Sequence, residues 1–128
     1  MALPHAHLFD VINVRPVGDA PGPDAVSTSL LKTDRLQLLH LVLRAHAGQP
    51  PHRVAQECVV HCLQGDVEVV TPAGTRHLAA GSLLVLPAGE EHGLHARSDA
   101  AVLVTLLLDH GDAGDGGGSS RIASSSPR

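Results

Sequence analysis

Ten histidines stand in a chain of 128 residues. Imidazole is the commonest metal ligand and a frequent acid–base group, so this excess is the first chemical signal. His5 and His7 form a His-x-His pair able to catch a metal ion adventitiously. Two cysteines, Cys58 and Cys62, lie four apart. On a strand they share one face about 13 Å apart, too far to bridge, whereas a helix would bring them within reach. As a nucleophile Cys58 needs a base beside it, and a buried inert thiol is the plainer reading. Glu90 and Glu91 adjoin in a turn and read as solvated. The sequence holds no phosphate-cradling glycine loop, no Ser-His-Asp signature and no paired carboxylates at strand ends.

The elements that must position these groups are short apolar runs cut by turn residues. Leu8 to Val14 alternates in part, and Val17 to Thr28, with Gly18, Pro21, Gly22 and Pro23, reads as a loose stretch. Leu36 to Ala45 places Leu39, Leu41 and Leu43 on one face and His40, Val42 and Arg44 on the other. Further runs are Cys58 to Leu63, Val67 to Thr71, Thr75 to Leu78, Leu83 to Leu86, His92 to Ala96 and Ala101 to Leu108. Turns fall at Gln64-Gly65-Asp66 and Pro72-Ala73-Gly74. A helix over Ser29 to Leu43 competes through its leucines, but Thr33-Asp34 in its middle is poor for helix, so strands are expected. Many short strands at regular spacing predict an all-β sandwich or barrel. Strand parity puts Cys58, Val60 and Cys62 on one face and Val59, His61 and Leu63 on the other. Both faces are largely apolar, so one should line an interior and the other should meet a second layer or another subunit. His61 then belongs to an interface or surface patch, and His95, odd-spaced from His92, should point outward.

The segment Gly81-Ser-Leu-Leu-Val-Leu-Pro87-Ala-Gly89-Glu-Glu-His92 fits the pattern G-x5-P-x-G-x2-H. It resembles the second sequence motif of the cupins. Counting back from Gly65 along the first cupin motif places Cys58 at the glutamate position, Val54 at the second histidine and His52 at the first. Gly48 is two residues late for the opening glycine, and the final asparagine position of the second motif falls at Ala96. The resemblance covers Leu36 to Leu108, and the start of the chain is similar to small single-domain bacterial cupins. It implies a jelly-roll β-barrel, usually a homodimer, often with a divalent metal held inside by three histidines and a glutamate. Only His52 and His92 match those ligand positions here. With Cys58 and a water they would make a tetrahedral zinc site, and with Glu57, one residue off register, a site suited to iron. The resemblance thus implies zinc, iron or nickel at His52, His92 and Cys58. Against this stands a metal-free pocket in which the two histidines serve as hydrogen-bonding groups. The expected interior pocket is lined by His52, Cys58, Val60, Cys62, His92 and Leu94, with Leu83 or Val85 beside them.

Length and composition bound the rest. At 128 residues this is one domain, able to bury about two-thirds of its extended-chain surface without disulfides or a structural metal. The expected division is a barrel over 1–108, its core at 36–108, and a disordered Gly/Ser-rich tail over 109–128. Phe9 is the only aromatic residue, which argues against base-stacking nucleic-acid modules. A net charge of −4 offers no basic patch for phosphates. No apolar run is long enough to span a membrane as a helix, and no secretory signal is visible. Free thiols suit a reducing cytoplasm. The functional expectation is therefore a small cytoplasmic, homodimeric cupin that binds a small organic molecule in its barrel. The alternative is a metal-dependent enzyme of dioxygenase or isomerase type.

Overall fold

The computed structural model describes residues 5–14 and 26–108. The expected tail, 109–128, and most of the expected loose stretch, 17–25, lie outside the described residues. Among the described residues nine strands run in order: β1 Val26–Lys32, β2 Leu36–Leu43, β3 Gly48–His52, β4 Cys58–Gln64, β5 Asp66–Thr71, β6 Gly74–Ala79, β7 Leu83–Leu86, β8 His92–Ala96 and β9 Ala100–Leu107. They form two antiparallel sheets, ordered β1-β2-β9-β4-β7 and β3-β8-β5-β6. Both sheets cross the chain order repeatedly, so neighbours in space are distant in sequence. The all-β expectation holds.

The leucines around Thr33-Asp34 form a hairpin rather than a helix. The Thr33 hydroxyl accepts hydrogen bonds from the amides of Arg35 and Leu36, both at 3.1 Å, and the Thr33 amide donates to the Leu36 carbonyl at 2.8 Å. A threonine whose side chain binds the backbone locally favours a turn over helix. The β4–β5 corner needs Gly65, whose φ of +79° is left-handed and whose Cα faces the Asp99 carbonyl too closely for a side chain. At the β5–β6 turn the Thr71 hydroxyl donates to the Gly74 carbonyl at 2.8 Å.

Two strands were hidden from a pattern search. β1 begins inside the stretch read as loose, and its Ser27, Thr28 and Ser29 give no apolar alternation. β3 carries Pro50 and Pro51, which cannot donate to a ladder. Both strands sit at sheet edges, where such residues are tolerated, and the register of β3 against β8 shifts between Gln49 and His52. Conversely, Leu8 to Val14 is no strand. Asp10 there closes a turn, its carboxylate accepting from the His7 amide at 2.7 Å and its own amide donating to the His7 carbonyl at 3.0 Å.

The core lies between the sheets. Leu41, Leu43, Cys58, Val60, Cys62, Val102 and Val104 face it from the larger sheet, and Val67, Val69, Leu78, Leu94 and Ala96 from the smaller. Parity in β7 corrects one expectation. Val60 pairs with Leu84 and Cys58 with Leu86, so Leu84 and Leu86 turn inward, while Leu83 and Val85 stand on the outer face at 55% and 54% exposure.

The two outer faces differ in chemistry. On the smaller sheet, Glu68 takes Arg97 at 3.1 Å and His95 at 3.4 Å, and Asp66 takes His77 at 3.3 Å. That face is suited to water. On the larger sheet, Leu38, His40, Leu103, Val59, His61, Leu83 and Val85 share the outer side by register. No helix among the described residues is long and apolar enough to cross a membrane.

Candidate functional site

β3 and β8 bring two distant histidines together. Their antiparallel register pairs His52 with His92, and the ring centroids lie 4.5 Å apart at a 55° tilt. His52, at the end of an edge strand, is exposed, whereas His92 is only 4% exposed. Each ring is held by a carbonyl two residues earlier: Nδ1 of His52 donates to Pro50 at 3.3 Å, and Nδ1 of His92 to Glu90 at 3.2 Å. Because a carbonyl only accepts, these contacts place the proton on Nδ1 and leave Nε2 of each ring as a lone-pair acceptor. Burial lowers the His92 pKa below its ordinary 6.5. The nearby His52 lowers it further, while the Glu90 carbonyl and carboxylate oppose the shift.

Both rings line a cavity of about 170 Å³ between the sheets. Leu39, Leu41, Val54, Val60, Leu94, Val104 and Leu106 make its apolar wall, and Ser27 and Gln49 supply the remaining polar groups. Of the residues expected in the pocket, His52, Val60, His92 and Leu94 line this cavity. Cys58 and Cys62 do not. They lie on the same inward face as Val60 but in the packed core, with Cys58 in register with Leu86 and Leu106. Burial pushes both thiols above the usual cysteine range. The sequence reading missed Leu39, Leu41, Val104 and Leu106, which β2 and β9 bring in. The inward parity of Leu39 and Leu41 was visible, but not that β9 lies beside them.

A metal needs more donors than this cavity offers. No group of three His, Cys, Asp or Glu side chains converges for an ion among the described residues. Val54 occupies the wall beside the two imidazoles, and Glu57 is exposed outside β4. Two imidazoles alone do not fit the three- or four-ligand protein sites usual for zinc or iron.

Comparison with known proteins places this geometry. The profile of the AraC-like ligand binding domain matches residues 40–124, well over half of the chain. The chain belongs to that family. Its fold is the cupin fold, shared with many solved structures. One is a cupin superfamily protein of Desulfitobacterium hafniense, with TM-score 0.70 and 19% identity, covering 81% of this chain and 100% of the other. Another is an RmlC-like cupin of Desulfovibrio desulfuricans, with TM-score 0.61 and 21% identity, covering 82% and 96%. A third is a cupin domain of Bordetella pertussis, with TM-score 0.56 and 24% identity, covering 71% and 100%. Identities this low carry the fold alone. No curated protein matches the chain by sequence. In this AraC-like ligand-binding domain the cavity between the sheets is the candidate ligand site.

Proposed function

We propose that this AraC-like domain is a non-enzymatic binding module that takes one small organic molecule in the cavity beside His52 and His92. The observation that carries the reading is a largely apolar cavity of about 170 Å³ with two imidazoles in its wall. Largely apolar cavities with a few convergent polar groups are the usual form of small-ligand sites. The metal-dependent enzyme reading, of dioxygenase or isomerase type with zinc, iron or nickel at His52, His92 and Cys58, would need Cys58 or another donor to reach the rings. A thermal-shift screen of small neutral organic compounds tests the proposal. Binders should raise the melting temperature, and Val54→Phe, a half-buried wall position outside the strands, should remove the effect by filling the cavity. Elemental analysis of protein purified without a His tag or added metal is expected to find no stoichiometric zinc, iron or nickel. One equivalent of metal, lost in His92→Ala and weakened in Cys58→Ser, would overturn the proposal.

The working unit we assign is a homodimer joined through the outer face of the five-stranded sheet. The contrast between that apolar face and the charged outer face of the other sheet supports it. Two free, buried thiols are compatible with a reducing cytoplasm as its location.

A further inference from the structure

We infer that the ligand is a neutral, single-ring molecule bearing one hydroxyl group, phenol in its simplest form, and that its one hydroxyl hydrogen is donated to His52 or to His92. This deepens the proposed ligand site and rests on it. Size sets the first limit. Cavities near 150 Å³ lined by leucine and similar side chains take up benzene, so about 170 Å³ is matched to one six-membered ring. Charge sets the second. Among the described residues no Lys, Arg, Asp or Glu lines the cavity, so beside neutral imidazoles a carboxylate, phosphate or ammonium group would find no counter-charge in the wall. Polarity sets the third. Seven of the eleven lining residues are leucine or valine, so a sugar would bring more hydroxyls than the wall can satisfy.

The tautomers decide which polar group fits. Both Nδ1 atoms are committed to the carbonyls of Pro50 and Glu90, so each ring offers the ligand one Nε2 acceptor and no donor. A carbonyl or ether ligand has nothing to donate to them, whereas a hydroxyl does. The ring centroids lie 4.5 Å apart at a 55° tilt, so both imidazoles stand within reach of one small ligand. Ser27 is exposed and Gln49 half-buried, so an apolar ring beside them strands neither from water.

The test is calorimetric titration of the full chain near pH 7.5 with phenol, toluene, benzoate, D-ribose and zinc chloride separately. Tyrosine and tryptophan are absent, so phenol absorbance also reports binding without protein background. The expected result is phenol binding about tenfold or more tighter than toluene, with benzoate and ribose weaker still. His52→Leu, at an exposed ring, should narrow the difference between phenol and toluene while sparing the fold. In ¹⁵N-labelled protein, phenol should move the Nε2 resonances of His52 and His92, with Nδ1 protonated throughout. Equal binding of phenol and toluene, both lost in Val54→Phe, would overturn the hydroxyl assignment and leave the ligand cavity standing. Binding of none of the organic probes would overturn both. Zinc bound at one equivalent and displaced by phenol would overturn the choice of an organic ligand over a metal, as would ribose binding more tightly than phenol.

Discussion

Among the described residues, His40 and His92 are the imidazoles whose pKa burial holds below 6.5, and that direction fixes how stability must follow pH. Below 6.5 the unfolded chain binds protons that the folded chain refuses. Their contribution is therefore full above 6.5 and is lost as pH falls through the folded values. Melting temperature measured from pH 8 to pH 5 should be flat down to about 6.5 and then drop. His40→Phe should shrink the drop, and an unchanged profile would mean His40 is not desolvated. The cysteines make a second residue-scale case. Both are free and buried, and burial raises both thiols. Iodoacetamide at pH 8 should leave the folded protein unmodified and label both residues in urea. Fast native labelling of Cys58 would restore it as a candidate nucleophile.

Among the elements, two glycine corners separate backbone strain from collision. Gly65 and Gly81 both hold left-handed φ, +79° and +89°. A Cβ on Gly65 would strike the Asp99 carbonyl oxygen and crowd Ala100, whereas a Cβ on Gly81 would meet nothing. Alanine at Gly81 should therefore cost about 1–2 kcal/mol, the left-handed penalty alone. Alanine at Gly65 should cost at least about 1 kcal/mol more, because the β4–β5 corner must also move away from the loop before β9. Urea unfolding of the two variants gives the comparison, and equal costs would mean the corner yields freely. The edge strands follow the same logic. Pro50 and Pro51 are accommodated because β3 bonds to β8 on one side only, and the register shift there sets His52 opposite His92.

For the molecule as a whole, the proposed homodimer through the outer face of the larger sheet sets the prediction. Light scattering at tens of micromolar should give about twice the 13.2 kDa chain mass. Val85 is exposed on that face, so Val85→Lys removes no core contact. It should keep the fold and give the monomer mass. A monomer in the native sequence would defeat this assignment. Leu43, fully buried between the sheets, provides the stability counterpart: Leu43→Ala should cost about 2–5 kcal/mol whatever the association state.

The local content of the sequence determined much of this. Parity along Leu36–Leu43 and Cys58–Gln64, the Thr33-Asp34 break and the Gly65 and Gly74 turns are short-range properties, and each was readable in order. The spacing from Gly81 to His92 carried the fold resemblance for the same reason. Only the tertiary structure decided which runs become neighbours. Pairing β9 with both β2 and β4 supplies Val104 and Leu106 to the cavity, and pairing β3 with β8 joins histidines forty residues apart. It also separated Cys58 from those histidines although parity gave it the inward face, because a face has length as well as direction. Strand alternation specifies the side on which a residue lies, but register across a sheet and the stacking of one sheet on another fix its place along that side.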